Sequence, residues 1–242
     1  MDHKEKSQSS AITTPKIPWK VILRFIITTL FMLGVLFLAG GSLNWWEAWA
    51  YAAMTMIVLL SSRAVLILKN PELARERSEA GQKENVKPWD NILMPITAIY
   101  LPLISWVVAG LDKRFGWSPD LPDTVQVLGL VVIFLGSMIG TWAMITNRFF
   151  SSHVRIQTDR GHTVVNSGPY RVIRHPGYAG GILSWLAAPV FFSSYWIVIP
   201  TILAIIGAIL RTALEDRTLL DELPGYEEYA TTVRYRLIPG IW

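Results

Sequence analysis

Long apolar runs are the feature of this chain that most restricts its fold. A helix needs about 20 apolar residues to cross the hydrocarbon core of a bilayer, and runs near that length lie at 21–41, 45–68, 92–110 and 125–146. Charged residues make up only 17% of the chain and apolar residues 52%, whereas a soluble domain carries about 25% charged residues. The sequence therefore predicts an all-α integral membrane protein.

A further apolar segment, 177–211, is too long for one span and short for two. Ser193, Ser194 and Tyr195 favour a turn near its middle, so we predict that the last two transmembrane helices form a tight helical hairpin with short or tilted arms. This gives about six transmembrane helices. Within the earlier spans, Pro95 and Pro102 predict kinks.

Small residues in the fourth apolar run predict a close helix contact. Gly136 and Gly140 form a small-xxx-small pair, with Gly129 one heptad earlier. Such spacing allows two helix backbones to approach each other closely. Helix packing is therefore the preferred interpretation, and contact between the backbone and a ligand is the alternative.

The distribution of Lys and Arg predicts the orientation of the chain in the membrane. Twenty of these residues lie in the tail, in alternate connections and after the last span, and only Lys113 and Arg114 lie on the other side. By the positive-inside rule, both termini and the segments 147–176 and 211–242 are cytoplasmic. We predict three regions: a disordered tail at 1–16, N-terminal transmembrane helices at 17–124, and a functional core at 125–242.

The cytoplasmic segment 147–178 reads NRFFSSHVRIQTDRGHTVVNSGPYRVIRHPGY. Pro169 and Pro176 restrict φ, and the glycine beside each proline permits a tight turn, so the rings between them are held in place. Aromatic, histidine and arginine side chains on a stiffened loop favour a pocket for a flat, partly charged small molecule.

Two other kinds of site are disfavoured in this segment. The histidines are nine and thirteen residues apart and form no pair on one helix face, and the chain has no cysteine, so no metal site is predicted. The basic residues lie beside the membrane, where orientation and anionic lipid account for them, so no nucleic-acid partner is predicted.

The segment after the hairpin reads RTALEDRTLLDELPGYEEY. If the helix continues past the membrane, Arg211 and Glu215 share one face, about one turn apart. An ordinary ion pair that ends a membrane helix and a pair of site residues are both consistent with this spacing. The leucines at 219, 220 and 223 predict an amphipathic C-terminal helix, which Pro224 and Gly225 end before a second short, charged helix.

Together the two cytoplasmic segments resemble the isoprenylcysteine carboxyl methyltransferase family and, more loosely, phospholipid N-methyltransferases. The resemblance covers about residues 125–242 and depends on R-H-P-x-Y-x-G, a helical hairpin, an acidic pair and Y-x-x-Y. It implies a membrane enzyme that uses S-adenosylmethionine bound at the cytoplasmic ends of the last spans. The size of the chain among members of that family also implies a bacterial inner membrane.

The resemblance also implies roles for individual residues. Arg211 matches the arginine assigned to the substrate, Glu215 an acidic residue that faces the cofactor, and Arg174 is expected with His175 at the methionyl carboxylate. Asp216 stands where the family usually has a second glutamate. The expected cofactor contacts are Gln157, His162, Thr163, Val164, Val165, Tyr170, His175, Pro176, Gly177, Tyr178 and Glu215.

These residues predict methyl transfer to a lipophilic or lipidated substrate, preferably a carboxylate, with membrane lipids around it and no obligate protein partner. A carboxylate nucleophile needs a cation to position it, whereas an amine would need a base such as Glu215 or Asp216. The alternatives are a phospholipid-amine N-methyltransferase and an NADPH-dependent membrane reductase of the sterol reductase type. A transporter or scaffold is disfavoured because the spans carry few ionisable residues.

Overall fold

The computed structural model describes residues 19–78 and 85–242, so the tail predicted at 1–16 lies outside the described residues. Within these ranges every regular element is helical. The longer helices are α1 Trp19–Gly40, α2 Trp46–Lys69, α5 Leu101–Phe115, α6 Asp123–Thr146, α7 Pro176–Phe191 and α8 Val198–Glu222. The shorter ones are α3 Pro71–Ser78, α4 Asp90–Pro95 and α9 Tyr226–Thr232, with 3-10 turns at Thr158–Arg160 and Gly168–Arg171.

Four helical segments in the described part of the chain are long and apolar enough to cross a membrane. They are Trp46–Lys69, Asp90–Phe115, Asp123–Thr146 and Val198–Glu222. The apolar part of α1 is shorter, at Ile26–Gly40, and the 16 residues of α7 extend only about 24 Å at 1.5 Å per residue. These lengths support an integral membrane protein, and the number of six spans stays a prediction.

The connection between α7 and α8 occupies residues 192–197 and contains the serine pair of the expected turn. Ser193 adopts a left-handed φ of 50°, and its hydroxyl accepts hydrogen bonds from the Leu121 backbone N–H at 3.1 Å and Gln126 Nε2 at 2.5 Å. The Ser194 hydroxyl donates to the buried carboxylate of Asp112. Side chains of α5 and α6 thus help to hold the turn.

The two prolines of the third apolar run flank a widened helical turn. A π-helical segment, Ile96–Tyr100, lies between α4 and α5, and Pro95 and Pro102 lack the N–H groups that a regular α-helical ladder would use. The Thr97 hydroxyl donates to the Leu93 carbonyl at 2.7 Å. The Thr97 side chain packs against α8 so closely at Gly207 that a side chain on that glycine would overlap with it.

Helices α6 and α7 share the most extensive contact among the described helices, and glycines permit their close approach. A Cβ on Gly136 would overlap with the Gly180 carbonyl oxygen and the Ser184 hydroxyl, whereas a Cβ on Gly140 would meet nothing within 4 Å. The packing predicted from the glycine spacing therefore depends on Gly136 rather than equally on both members of the pair.

We expect Gly136→Ala to destabilise the protein by about 2 kcal/mol, because a methyl group inserted into a packed contact displaces backbone. Gly140→Ala is the matched control on the same helix, and we expect it to be neutral or stabilising by up to about 1 kcal/mol. Thermal unfolding in detergent measures both. Equal midpoints for the two variants would contradict the assignment.

The C-terminal part of the fold folds back over the loop at 147–175. Helix α8 continues to Glu222, and Gly225 with a φ of 81° allows the chain to turn into α9. The buried cluster of α9 consists of Leu223, Tyr226, Tyr229 and Val233, against which Ile156, Val164 and Leu219 pack. This cluster brings the two chemically rich segments of the sequence together.

Candidate active site

A cavity of about 600 Å³ lies where the loop at 147–175, α7, α8 and α9 meet. Helix α4 and the π-helical turn contribute Met94, Thr97 and Ala98 to its wall. Most of the residues expected at the site line this one cavity. They are His162, Thr163, Val164, Val165, Tyr170, Arg174, His175, Gly177, Tyr178, Arg211 and Glu215.

Gln157 and Pro176, also expected as cofactor contacts, do not line the cavity. Gln157 is buried; its Nε2 donates to the Phe149 carbonyl at 2.6 Å and its Oε1 accepts from Arg160 Nη1 at 2.6 Å. Pro176 is the buried first residue of α7, where a missing N–H costs nothing. In the structure Gln157 shapes the loop and Pro176 starts the helix.

Arg211 is held by a carboxylate from the N-terminal half of the chain. Its Nε and Nη2 donate to the two oxygens of Asp90 at 2.6 and 3.1 Å, and Nη2 also donates to the Ser152 carbonyl at 2.7 Å. Asp90 is fully buried and accepts a further bond from the Val154 N–H at 2.8 Å. The Nε–Nη2 edge of the guanidinium, which could have bound a substrate carboxylate, therefore binds Asp90.

The remaining donors of Arg211 are those on Nη1. The described residues provide no hydrogen-bond partner for this nitrogen, and Arg211 lines the cavity. Its guanidinium carbon also lies 5.5 Å from the centroid of the Tyr178 ring. Asp90 and Tyr178 therefore fix the guanidinium, and no group of residues 19–78 or 85–242 accepts a hydrogen bond from Nη1.

Glu215 pairs with Tyr178, and Arg211 pairs with Asp90, so the two do not form the ordinary i,i+4 ion pair. The Tyr178 hydroxyl donates to Glu215 Oε2 at 2.7 Å. This bond crosses from α7 to α8 and orients the carboxylate. Glu215 Oε1 has no hydrogen-bond partner within the described ranges, so it can accept one from a ligand.

Asp216, the neighbour of Glu215, is a buried hub. It accepts from Arg174 Nε and Nη2 at 2.8 and 2.9 Å, from Arg236 Nε at 2.7 Å and from the Tyr226 hydroxyl at 2.9 Å. His175 Nε2 lies 3.0 Å away. Burial lowers the pKa of Arg174, but the hydrogen bonds and charge of Asp216 outweigh this and raise it overall.

The contacts with Asp216 bear on the expectation that Arg174 lies at the methionyl carboxylate of the cofactor. The Arg174 donors Nε and Nη2 are engaged by Asp216, and Nη1 donates to the carbonyls of Val233 and Arg234, both at 2.9 Å. In this conformation the Arg174 guanidinium ties α7, α8 and the C-terminal segment together.

His162 is neutral in this environment. Its Nδ1 accepts from the Gln157 N–H at 3.3 Å, and its ring packs on Phe149 with centroids 4.4 Å apart. Burial, followed by the charges of Arg155, Arg160 and Arg148, lowers the pKa of His162 to about 4. A neutral ring therefore borders the cavity at physiological pH.

The lowered pKa predicts a loss of stability in mild acid. The folded value of about 4 lies below the ordinary 6.5, so the neutral ring contributes fully above about pH 6.5 and this contribution is lost as the pH falls towards 4. Between pH 7 and pH 4.5 we expect the wild-type unfolding midpoint to fall by roughly 3–6 °C more than that of His162→Asn. Parallel falls in the two proteins would refute this.

Several cavity residues were not predicted from the sequence. Met94, Thr97 and Ala98 come from the region assigned only to transmembrane helices, and Trp185 lies inside an apolar run. Asp90, which holds Arg211 at the cavity, comes from the same N-terminal region. The sequence signal for these contacts is the carboxylate of Asp90 at the start of an apolar segment. An ionisable group in such a position is usually paired with another group of the protein.

The segment that contains most of the cavity residues is similar to known proteins. Residues 127–221 match the model of the isoprenylcysteine carboxyl methyltransferase (ICMT) family. A probable protein-S-isoprenylcysteine O-methyltransferase of Oryza sativa subsp. indica is 35% identical over 68 residues, 27% of this chain and 36% of the relative. A protein-S-isoprenylcysteine O-methyltransferase of Xenopus laevis is 33% identical over 82 residues, 32% of this chain and 27% of the relative.

The chain thus spans about a third of the length of the curated relatives that it matches. The family match begins in α6 and ends in α8, and it contains Arg211, Glu215 and the loop residues of the cavity. Over residues 127–221, this chain is similar to the isoprenylcysteine carboxyl methyltransferase family.

Proposed function

We propose that this protein transfers a methyl group from S-adenosylmethionine to the carboxylate of a lipophilic substrate of the isoprenylcysteine type, at the cytoplasmic face of the membrane. The observation that carries the proposal is the shared cavity. Arg211 and Glu215 line the same space as the loop residues 162–165, and that space continues between the helices to Trp185.

The residues of the cavity fit S-adenosylmethionine. Glu215 Oε1 is an oriented acceptor for a ribose hydroxyl or an amino group, and Tyr170 and Tyr178 line the same cavity. When bound, the cofactor supplies a methyl group on a sulfonium, which a nucleophile displaces. The neutral ring of His162 adds no positive charge that would repel this cationic molecule.

Arg211 is the substrate-positioning residue in this proposal. Since Asp90 and Ser152 occupy Nε and Nη2, Nη1 is the group that holds the substrate carboxylate. A guanidinium already fixed by a buried ion pair loses little side-chain entropy when it binds, so the nucleophile is aligned at low cost.

A carboxylate substrate suits this cavity better than an amine. A carboxylate is ionised at neutral pH and needs no base, whereas an amine must lose a proton. Of the two acids that the sequence offers as bases, Glu215 accepts from Tyr178 and Asp216 is surrounded by cationic and hydroxyl donors. Both are held as hydrogen-bond acceptors.

A cytoplasmic location of the cavity, with both termini on the same side, is part of the proposal. Lys113 and Arg114 lie at the end of α5, and the arginine-rich loop at 147–175 lies at the opposite end of the helices. The sum of these charges favours the loop side as cytoplasmic. A bacterial inner membrane is the setting we propose.

Binding and turnover test the proposal. Detergent-purified protein is titrated calorimetrically with S-adenosylhomocysteine and, in parallel, with NADPH. Transfer of labelled methyl from S-adenosylmethionine is then measured on an N-acetyl-S-prenylcysteine and on phosphatidylethanolamine. We expect saturable binding of S-adenosylhomocysteine alone and methylation of the prenylcysteine alone. Binding of NADPH alone would favour a reductase, and labelling of the phospholipid alone would favour an N-methyltransferase.

A further inference from the structure

A second cavity of about 210 Å³ lies deeper among the helices. It is bounded by α2, α5, α6, α7 and α8, within the apolar part of the structure. Three helical segments line both cavities: α7, α8 and the span Asp90–Phe115, which the π-helical turn interrupts. On each of them, the residues of the second cavity lie one or two turns away from those of the first. On α8 the first cavity has Ala208 and the second has Ala204 and Thr201.

The same succession occurs on the other two segments. On α7, Gly181 lines the first cavity and Ala188 the second. On the interrupted span, Ala98 lines the first cavity and Pro102 the second. The two cavities therefore lie end to end in one tract, which extends about 21 Å along α8 from Glu215 to Thr201 at 1.5 Å per residue.

Trp185 lines both cavities, so it lies where the two approach each other. The tract is polar at the Glu215 end, and beyond Trp185 it is walled mainly by apolar side chains such as Met54, Val58 and Phe192. A long apolar chain attached to a polar head has this distribution of polarity.

The serine hydroxyls in the wall of the second cavity do not require a polar ligand. Ser105 donates to the Leu101 carbonyl at 2.9 Å, and Ser137 and Ser184 donate to the Ile133 carbonyl at 2.8 and 3.0 Å. Because these donors are satisfied within the protein, an apolar chain beside them leaves no hydrogen bond unmade.

We propose that the second cavity receives the far end of the substrate's apolar chain and that Trp185 sets the length of chain the enzyme accepts. This inference rests on the proposed function, because it places the reacting head group near Arg211. A chain that ends before Trp185 fits the first cavity alone. A longer chain must displace the indole to enter the space behind it.

The test compares N-acetyl-S-prenylcysteines with two, three and four isoprene units. Methylation by the wild type and by Trp185→Ala is measured as kcat/KM. Binding of the same thioethers to both proteins is measured by calorimetric titration in the absence of a methyl donor. In Trp185→Ala we expect the preference for the longest over the shortest chain to rise by about tenfold in both readouts. Leu186→Ala, which removes a neighbouring side chain that is 56% exposed, is the matched control.

A second variant tests the cavity from the opposite side. Ala188→Leu fills part of the space behind Trp185, and we expect it to weaken the longest chain while the shortest is methylated as in the wild type. An unchanged chain-length profile in both variants, with methylation of the shortest chain intact, overturns the inference and leaves the proposed function standing. Failure of the wild type to methylate any of these thioethers overturns both.

Discussion

Arg211→Lys is expected to lower turnover by about a hundredfold or more while S-adenosylhomocysteine still binds nearly as tightly as to the wild type. A lysine ammonium can pair with the buried Asp90, but it lacks the second nitrogen, Nη1, that we assign to the substrate carboxylate. Single-turnover methylation and calorimetric titration, performed on the same preparation, measure the two effects separately.

The alanine variant needs a compensating change. Arg211→Ala removes the arginine from the ion pair of the fully buried Asp90, and breaking a buried ion pair on one side costs about 3–5 kcal/mol. The double variant Arg211→Ala/Asp90→Asn removes both charges. We expect it to fold, bind S-adenosylhomocysteine and fail to methylate. A parallel loss of cofactor binding and turnover would contradict the assignment of Arg211 to substrate binding.

Asp90→Asn tests the anchoring of Arg211 by itself. Asparagine has nearly the same shape but carries no charge, so the guanidinium loses its ionic partner and its fixed orientation. We expect kcat to fall by about tenfold, with rescue by Asp90→Glu to part of the wild-type value. Equal stability losses in Asp90→Asn and Asp90→Glu, with normal turnover in both, would indicate a purely structural role.

Asp216→Ala has the largest expected effect on stability. The change leaves Arg174 and the hydroxyl of Tyr226 without their buried acceptor, and breaking a buried ion pair on one side costs about 3–5 kcal/mol. Because Arg174 also bonds the carbonyls of Val233 and Arg234, we expect α9 and the C-terminal segment to detach and S-adenosylhomocysteine binding to be lost.

Asp221→Ala is the control for this variant. Asp221 lies on the same helix and faces Arg217 at 3.7 Å, but their side chains are 65% and 81% exposed. An exposed pair of this kind contributes well under about 1 kcal/mol. Thermal unfolding and proteolysis of the C-terminal segment compare the two variants. Similar midpoints would refute the role of Asp216 as a buried hub.

The local sequence contained enough information for the helices and for much of the candidate site. Apolar runs of the length of a bilayer predicted the long helices, and prolines marked both ends of the widened turn at Ile96–Tyr100. The loop residues 162–165 and the residues around Tyr178 belong to one cavity because they lie close together in the chain and between rigid turns. Short-range patterns suffice for such features, since hydropathy and φ restrictions act locally.

Partners of buried charges could not be predicted in the same way. Arg211 and Glu215 are four residues apart and suggested each other, yet Arg211 pairs with Asp90 and Glu215 with Tyr178. Asp90 and Arg211 are 121 residues apart, and only the packing of α4 against α8 brings them together. A buried charge is satisfied by whichever group the fold places beside it.

The sequence by itself determined that this chain is helical and apolar enough to cross a membrane, and it predicted which loop lines the candidate site, because apolar length and motif spacing are properties of the chain. Only the tertiary structure decided which donors stay available at the site and that the cavity is followed by a second one behind Trp185. Cavities and ion pairs are formed by side chains from distant segments, and their geometry exists only when the helices are packed.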